Sequence, residues 1–387
     1  MLLGTLNAAK DLGRIHEIAL ILIRYGFGEV VRRLGLANII DRAGKVLHWA
    51  EVEELARLEP PARVRRALEE MGPTYIKLGQ ILATRSDLFS AEWIAEFAKL
   101  QDQVQAVPFA EIEAQLLEDL GGEIDDFFTE FDRKPLATAS IGQVYRACLR
   151  NGKQVIVKVR RPGIRSIVEA DLRLLKYVAE IADRESKDLH RFQPKEIIHQ
   201  FTLSMRRELD LAGECRNAER IAAAFSNDPI LVIPKVYWQW TSERMNVQQY
   251  IDGIAAGDLE AIDKAGLDRE KLALGGADIV MKMVLEDGFF HADPHPGNLF
   301  FLPENRIAFI DFGMVGRLTE ERRSQVIYLL QGVISRNTSH VVRVLLKWSG
   351  DTLVNTDSLT TDADNFIDQY HDVSLKDLDI SAFLNDL

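Results

Sequence analysis

Residues 291–300 read HADPHPGNLF and residues 310–313 read IDFG. Two kinds of chemistry use residues of these types at such spacings. A transition metal is held by imidazoles four residues apart, because a helix puts i and i+4 on one face and aims both nitrogens at the ion. Phosphoryl transfer needs a carboxylate to orient an attacking hydroxyl or water, with a second carboxylate and a neutral amide to hold a hard cation against phosphate oxygens. The prolines decide against the first. Pro294 and Pro296 bracket His295, each lacks an N–H, and each restrains the preceding residue away from helical angles. His291 and His295 therefore do not share a helix face.

The second chemistry has a template, the kinase catalytic loop H-R-D-x-x-x-x-N with a later D-F-G. His291, Asp293 and Asn298 keep its spacing, and Asp311, Phe312 and Gly313 supply the second motif. In this template Asp311 gives an anionic oxygen to Mg²⁺ on the nucleotide phosphates. Asn298 gives an uncharged oxygen to a second metal, and Asp293 orients the acceptor and takes its proton. The template also requires a strand lysine for the α/β-phosphates and a helix carboxylate to hold it. In VIVKV, Val155, Val157 and Val159 share one strand face, so Lys158 projects from the other. Asp210, Glu214 and Asn217 fall at i, i+4 and i+7 in ELDLAGECRN, and Glu214 is the expected partner of Lys158.

The elements that must position these groups can be traced along the chain. Apolar spacing at Leu12, Ile15, Ala19 and Leu22, and again at Leu78, Ile81 and Leu82, predicts helices over 8–120. Strands are expected at 141–149 and 154–160 around the Asn151-Gly152 turn. Helices follow at 164–187 and 194–225, the latter begun by Pro194. Two strands in ILVIPKVYWQW and MNVQQYIDG, a helix at 268–287, a strand at IAFI and a helix capped by Thr319 complete the order. The expected domains are a helical extension at 1–120, a sheet-bearing region with inserted helices at 121–253, and a mostly helical region at 254–387.

Composition removes several alternatives. The net charge of −12 and the lack of aromatic-studded basic stripes argue against nucleic acid as a partner. Nine Asp and one Lys in 351–387 make the acidity largely a tail effect, whereas residues 1–50 carry seven Lys or Arg against four acids. The basic, amphipathic 12–40 segment either lies on an anionic membrane surface or packs on its own domain. Cys148 and Cys215 form no C-x-x-C pair, so a disulfide framework or thiolate metal site is not expected. A bilayer span needs about 20 apolar residues, and the strongest N-terminal run, IALILI, has six. No cleavable signal is evident, so a reducing, cytoplasmic setting without a transmembrane helix is expected.

Four stretches together, MGPTYIKLGQILATRSDLF (71–89), PLATASIGQVY (135–145), ELDLAGECRN and HADPHPGN with IDFG, resemble the UbiB family of atypical protein-kinase-like ATPases associated with ubiquinone biosynthesis. The similarity runs from about residue 64 to 350, and the K-x-G-Q element, Lys77, Gly79 and Gln80, is particular to that family. The resemblance implies an α+β, protein-kinase-like two-lobe fold, a small antiparallel sheet lobe plus a helical lobe, with an N-terminal helical extension. It implies ATP or ADP with Mg²⁺ as cofactors. It assigns phosphate covering to Ala137, Thr138, Ala139, Ser140, Gly142 and Gln143. This alanine-type loop has only Gly142 as a permissive residue, so it should close less readily over a triphosphate than a glycine-rich one. It sets the nucleotide hinge at Gln248-Gln249, followed by Tyr250, with adenine recognised mainly by backbone groups. It implies a regulatory role for Lys77, Gly79 and Gln80, with the segment folded over the active site and Lys77 near Glu208 and Asp210. Two residues apart on a regular helix point about 200° away from each other, so both acids meet one lysine only where the helix ends or bends.

The chain departs from the family pattern at Thr138, where alanine is usual, and at Gln248-Gln249, where Met-Glu is common. Longer relatives continue beyond this point, often into C-terminal membrane helices. Only MVGRL separates Gly313 from Thr319, and no A-P-E occurs, so a platform for a protein substrate is missing. The expectation is a Mg²⁺-dependent ATPase or small-molecule kinase, peripheral at the inner membrane, with a lipid or quinone precursor and other ubiquinone-biosynthesis proteins as partners. Two other readings use the same residues: a phosphotransferase of the aminoglycoside or choline kinase type, and a nucleotide-gated scaffold.

Overall fold

The computed structural model describes residues 8–36, 55, 58–86, 88–100, 106–185, 190, 192–350 and 354–371. The chain divides into two compact units, one of residues 1–219 and 234–252, the other of 220–233 and 253–387. The helical extension and the sheet-bearing region expected as separate domains thus cluster together. Residues 220–233, expected with the sheet, cluster with the second unit.

The first unit begins with helices α1 (Ala8–Arg24), α2 (Gly28–Arg33), α3 (Pro60–Met71), α4 (Pro73–Leu82), α5 (Ala91–Phe97), α6 (Phe109–Leu120) and α7 (Ile124–Phe127). On α1, Ile15, Ile18 and Ile21 are buried in one core with Leu68, Phe97 and Leu172. Arg14 on the same helix donates to the fully buried Asp171 at 2.8 Å and to the Met71 carbonyl. In the described part of the 12–40 segment, Ile15, Ile18 and Ile21 thus pack on their own unit, whereas Leu12 and Val30 are exposed. Residues 37–40 lie outside the described residues, as do 372–387 of the acidic tail.

The sheet follows: β1 (Phe128–Phe131), β2 (Ala137–Thr138), β3 (Gly142–Leu149) and β4 (Gln154–Arg160). The β3–β4 turn is the expected one, with Gly152 at φ +80° and Asn151 Oδ1 accepting from Lys153 N at 3.2 Å. Helices α8 (Ile164–Glu185), α9 (Pro194–Glu208) and α10 (Leu211–Ala224) come next, then β5 (Leu231–Val232) of the second unit and β6 (Met245–Gln249). The first-unit sheet is antiparallel in the order β1-β3-β4-β6, with β2 beside β3. Alternation buries Tyr145, Val155, Val157, Val159 and Val247 against Leu116 of α6, leaving the Lys158 face for α10.

Two local expectations are corrected. The single helix over 194–225 is broken at Leu209–Asp210, because Asp210 Oδ1 accepts from Gly213 N at 3.0 Å and so starts a new helix. Trp238–Trp240, expected within a strand, forms a 3₁₀ turn.

In the second unit β5 pairs in parallel with β10 (Arg306–Phe309), which pairs antiparallel with β9 (Leu299–Leu302) and through it with β7 (Ile254–Ala255). Helices α11 (Leu259–Lys264) and α12 (Arg269–Lys282) precede β8 (Phe289–His291), which pairs with β11 (Val315–Arg317). Then come α13 (Glu320–Ile334), α14 (Thr338–Trp348) and α15 (Thr356–His371), packed through Leu329, Val341, Val344, Phe366 and Ile367. Thr319 caps α13 as expected, its hydroxyl accepting from Arg322 N at 3.2 Å. Among the described residues no helix is long and apolar enough to cross a membrane.

Candidate active site

On β4 Lys158 stands opposite Val144 of β3 and Asn246 of β6. Its ammonium donates to Glu214 Oε2 at 2.8 Å. The side chains are 14% and 7% exposed, so the pair is screened from water and its geometry matters more than a surface pair's would. Asp210, which the same spacing put beside Glu214, caps the helix instead, and its Oδ2 accepts from Arg216 at 2.6 Å.

The ATASIGQ segment folds as a hairpin tip. Ala137 and Thr138 pair with Val144 and Gln143, and Ala139 N donates to Gly142 O at 2.9 Å. Ser140 Oγ donates to Glu208 Oε1 at 3.4 Å, and the Ala139 carbonyl accepts from Arg161 at 3.3 Å. Gly142 has a packing reason to be glycine: a Cβ there would stand 2.9 Å from the Val159 carbonyl. Gln143 is fully buried. Its amide accepts from Val107 N at 2.5 Å and donates to the Tyr145 hydroxyl at 2.6 Å, so the side chain is committed within the protein. Gln248 is also buried and donates to Cys215 Sγ at 3.4 Å. Tyr250 lies under the Arg146 guanidinium, 4.3 Å from ring centre to Cζ. The side chains of Gln143 and Gln248 are thus engaged within the protein.

Glu208 ends α9 and Asp210 precedes α10, so the helix does stop between them. Ser140 donates to Glu208, and Gly213 N and Arg216 donate to Asp210. Gly79 and Gln80 both address Leu100, Gly79 because a Cβ would collide with that side chain and Gln80 by donating to its carbonyl at 3.3 Å.

The second unit carries the loop. His291 ends β8, 2% exposed, between the rings of Phe309 and Phe312. Its Nδ1 accepts from Asp293 N at 3.1 Å and its Nε2 lies 3.3 Å from the Ile310 carbonyl. The acceptor role of Nδ1 assigns the proton to Nε2, and one imidazole ties the Asp293 turn to the residue before Asp311. Sequence spacing marked His291 as part of the motif but not as this tie. Asn298 Nδ2 donates to Asp293 O at 3.1 Å, and Asn298 O accepts from Ile310 N at 2.9 Å. Asp311 sits at φ +57°, with Oδ1 accepting from Gly313 N at 3.2 Å. This left-handed residue is uncommon for a non-glycine side chain and occurs at the motif's own aspartate. His295 turns elsewhere: its Nδ1 accepts from Gly297 N at 2.9 Å and its Nε2 is 3.7 Å from Asp293 Oδ2.

For a cation the donor set is one of hard oxygens. The Asn298 amide is oriented by its Nδ2 bond, which turns Oδ1 the other way, and Asp311 is exposed to solvent. One carboxylate and one amide oxygen suit Mg²⁺, which commonly keeps waters and phosphate oxygens as its remaining ligands. No group of three or more His, Cys, Asp or Glu able to hold a metal exists among the described residues, so a self-contained protein cage is not what these residues build.

An antiparallel sheet with a buried Lys–Glu pair, and a His-x-Asp loop joined to Asp-Phe-Gly, define a protein of the protein-kinase-like class. Residues 99–345 match the model of the ABC1 atypical kinase-like domain, and the chain belongs to that family. It is 34% identical over 340 residues to the probable protein kinase UbiB of Aliivibrio fischeri, covering 87% of this chain and 62% of that protein. The UbiB of Pseudomonas aeruginosa is 35% identical over 328 residues, 83% of this chain and 61% of that one. An uncharacterized protein of Synechocystis, sll1770, is 38% identical over 284 residues, 73% and 48%. The chain thus spans about three fifths of the UbiB relatives. Among solved structures, Rv3197 of Mycobacterium tuberculosis, in complex with erythromycin, aligns with TM-score 0.51 and 22% identity over 77% of this chain and 76% of that one. This agrees with the kinase-like fold expected from sequence.

Proposed function

We propose that this chain binds ATP with Mg²⁺ and transfers the terminal phosphoryl group to water or to a small lipid-like acceptor, in support of ubiquinone production. The observation that carries the reading is the Lys158–Glu214 pair at 2.8 Å, the arrangement in which a strand lysine is held ready for α/β-phosphates. Glu214 aims the ammonium, and Lys158 neutralises phosphate charge. Asp293, its backbone fixed by His291, orients the acceptor and takes its proton. Asn298 and Asp311 would hold Mg²⁺, which when bound supplies positive charge against the phosphate oxygens.

A non-protein acceptor is supported by the short path after Gly313. Val315–Arg317 is already paired with β8, and Thr319 caps the next helix, so no extended segment follows the motif to hold a peptide. A membrane surface as the working place is part of the proposal and draws its support from the family's association with ubiquinone.

The test is phosphate release from Mg²⁺-ATP by the purified chain, alone and with anionic liposomes or phenol-like quinone precursors. Release stimulated by either additive is expected. Transfer of label to a protein substrate, with no release to water or small acceptors, would overturn the reading.

A further inference from the structure

Helix α10 meets the sheet at more places than Glu214. Strand β6 runs beside β4 with Asn246 opposite Lys158 and Gln248 opposite Ile156, so both amides occupy the face that carries Lys158. Asn246 and Gln248 are 0% and 3% exposed. Asn246 Nδ2 donates to Leu211 O at 3.5 Å and Gln248 Nε2 to Cys215 Sγ at 3.4 Å. The two anchors bracket Glu214 along the helix, three residues before it and one after.

A buried amide loses water and regains little from sulfur, which is a weak acceptor. Burial, with the Glu214 charge adding to it, pushes the Cys215 thiol up to about 12, so the partner remains a neutral thiol. Methionine would fill similar volume without burying an amide. What the amide provides is direction. A helix turned by one residue rotates by about 100°, which would carry Cys215 off Gln248 and Glu214 off Lys158 together.

We propose that Gln248 is a positioning residue: through Cys215 it sets the rotation of α10 at which Glu214 reaches Lys158, and its side chain does not touch the nucleotide. This rests on the nucleotide reading of the Lys158–Glu214 pair.

The experiment is Mg²⁺-ATP affinity of the full chain and of Gln248→Met, Glu214→Gln and the double variant, with thermal unfolding of each. Gln248→Met is expected to weaken binding about three- to tenfold, the scale of one hydrogen bond. In the Glu214→Gln background the same change should have an effect of less than about 1.5-fold, because coupled residues are not additive. Equal losses in both backgrounds, or no loss in the parent, overturn the proposal. Cys215→Ser, whose hydroxyl still accepts from the amide, should keep the parent affinity, and Cys215→Ala should match Gln248→Met. The reverse order sinks the proposal even if Gln248→Met does not fold. Should Glu214→Gln itself leave binding unchanged, the nucleotide reading falls and this inference with it. A loss with Glu214→Gln but none with Gln248→Met removes only the role of Gln248.

Discussion

Lys158 and Glu214 stand on a central strand and a helix with side chains 14% and 7% exposed, whereas Asp293, 45% exposed, stands on a loop of the second unit. The first pair is positioned by regular structure: valines on the opposite strand face, the Asp210 cap that starts α10, and the β6 amides. The second set is positioned by local bonds, His291 to Asp293 N, Asn298 to Asp293 O, and Gly313 N to Asp311. Under the proposed function the difference follows from the task of each group. A lysine held for phosphate gains from a dry, rigid mount. Residues that meet a hydrated cation and an entering acceptor must stay open to solvent.

This contrast sets the order of expected effects. Asp293→Asn should lower phosphate release about 10²- to 10⁴-fold, the range of general base catalysis, while the affinity for Mg²⁺-ATP and the unfolding temperature stay near the parent's. An equal loss of affinity would mean that the loop acts in binding and would erase the distinction drawn here. Lys158→Met should do the opposite and weaken nucleotide binding together with the fold. Removing one member of a buried pair costs about 3–5 kcal/mol, and adding Glu214→Leu should restore most of that stability without restoring binding, as read by chemical denaturation. His291→Ala should destabilise the second unit by about 1–3 kcal/mol, through loss of bonds made by a buried ring, and should lower turnover more than affinity.

The smallest effect is a surface one. Arg206 donates two hydrogen bonds of 2.9 Å to Glu169, joining α8 to α9, and holds that carboxyl below the usual glutamate range. A depressed folded-state value means the contribution is full above the ordinary glutamate pKa and disappears as the pH falls through the folded value. Arg206→Met should therefore cost about 0.2–1 kcal/mol at pH 7. The difference should vanish on acidification, while nucleotide affinity at pH 7 stays unchanged.

The local patterns were the readable part. Valine alternation fixed the face of Lys158, Asn151-Gly152 fixed its hairpin, Thr319 marked the start of α13, and the prolines around His295 excluded a histidine pair on a helix. The unreadable parts depend on contacts that residue spacing does not reveal. Asp210 looked like a member of the Glu214 face because spacing does not reveal that a carboxylate will cap its own helix. The resemblance puts Gln143 in the phosphate loop and Gln248 in the hinge, and nothing local in the sequence shows that both side chains are buried. Their partners, Val107 and Cys215, lie 36 and 33 positions away. The stripe on α1 suits a bilayer as well as a core, and its packing partners Leu68, Phe97 and Leu172 are distant in sequence.

The most direct test is titration of ATP into the parent, Lys158→Met and Asp311→Asn, each with Mg²⁺ and with a chelator. The parent should bind more tightly with Mg²⁺, Lys158→Met should bind weakly in both conditions, and Asp311→Asn should lose the Mg²⁺ enhancement while keeping the metal-free affinity. ATP affinity and Mg²⁺ dependence unchanged in both variants would contradict the account.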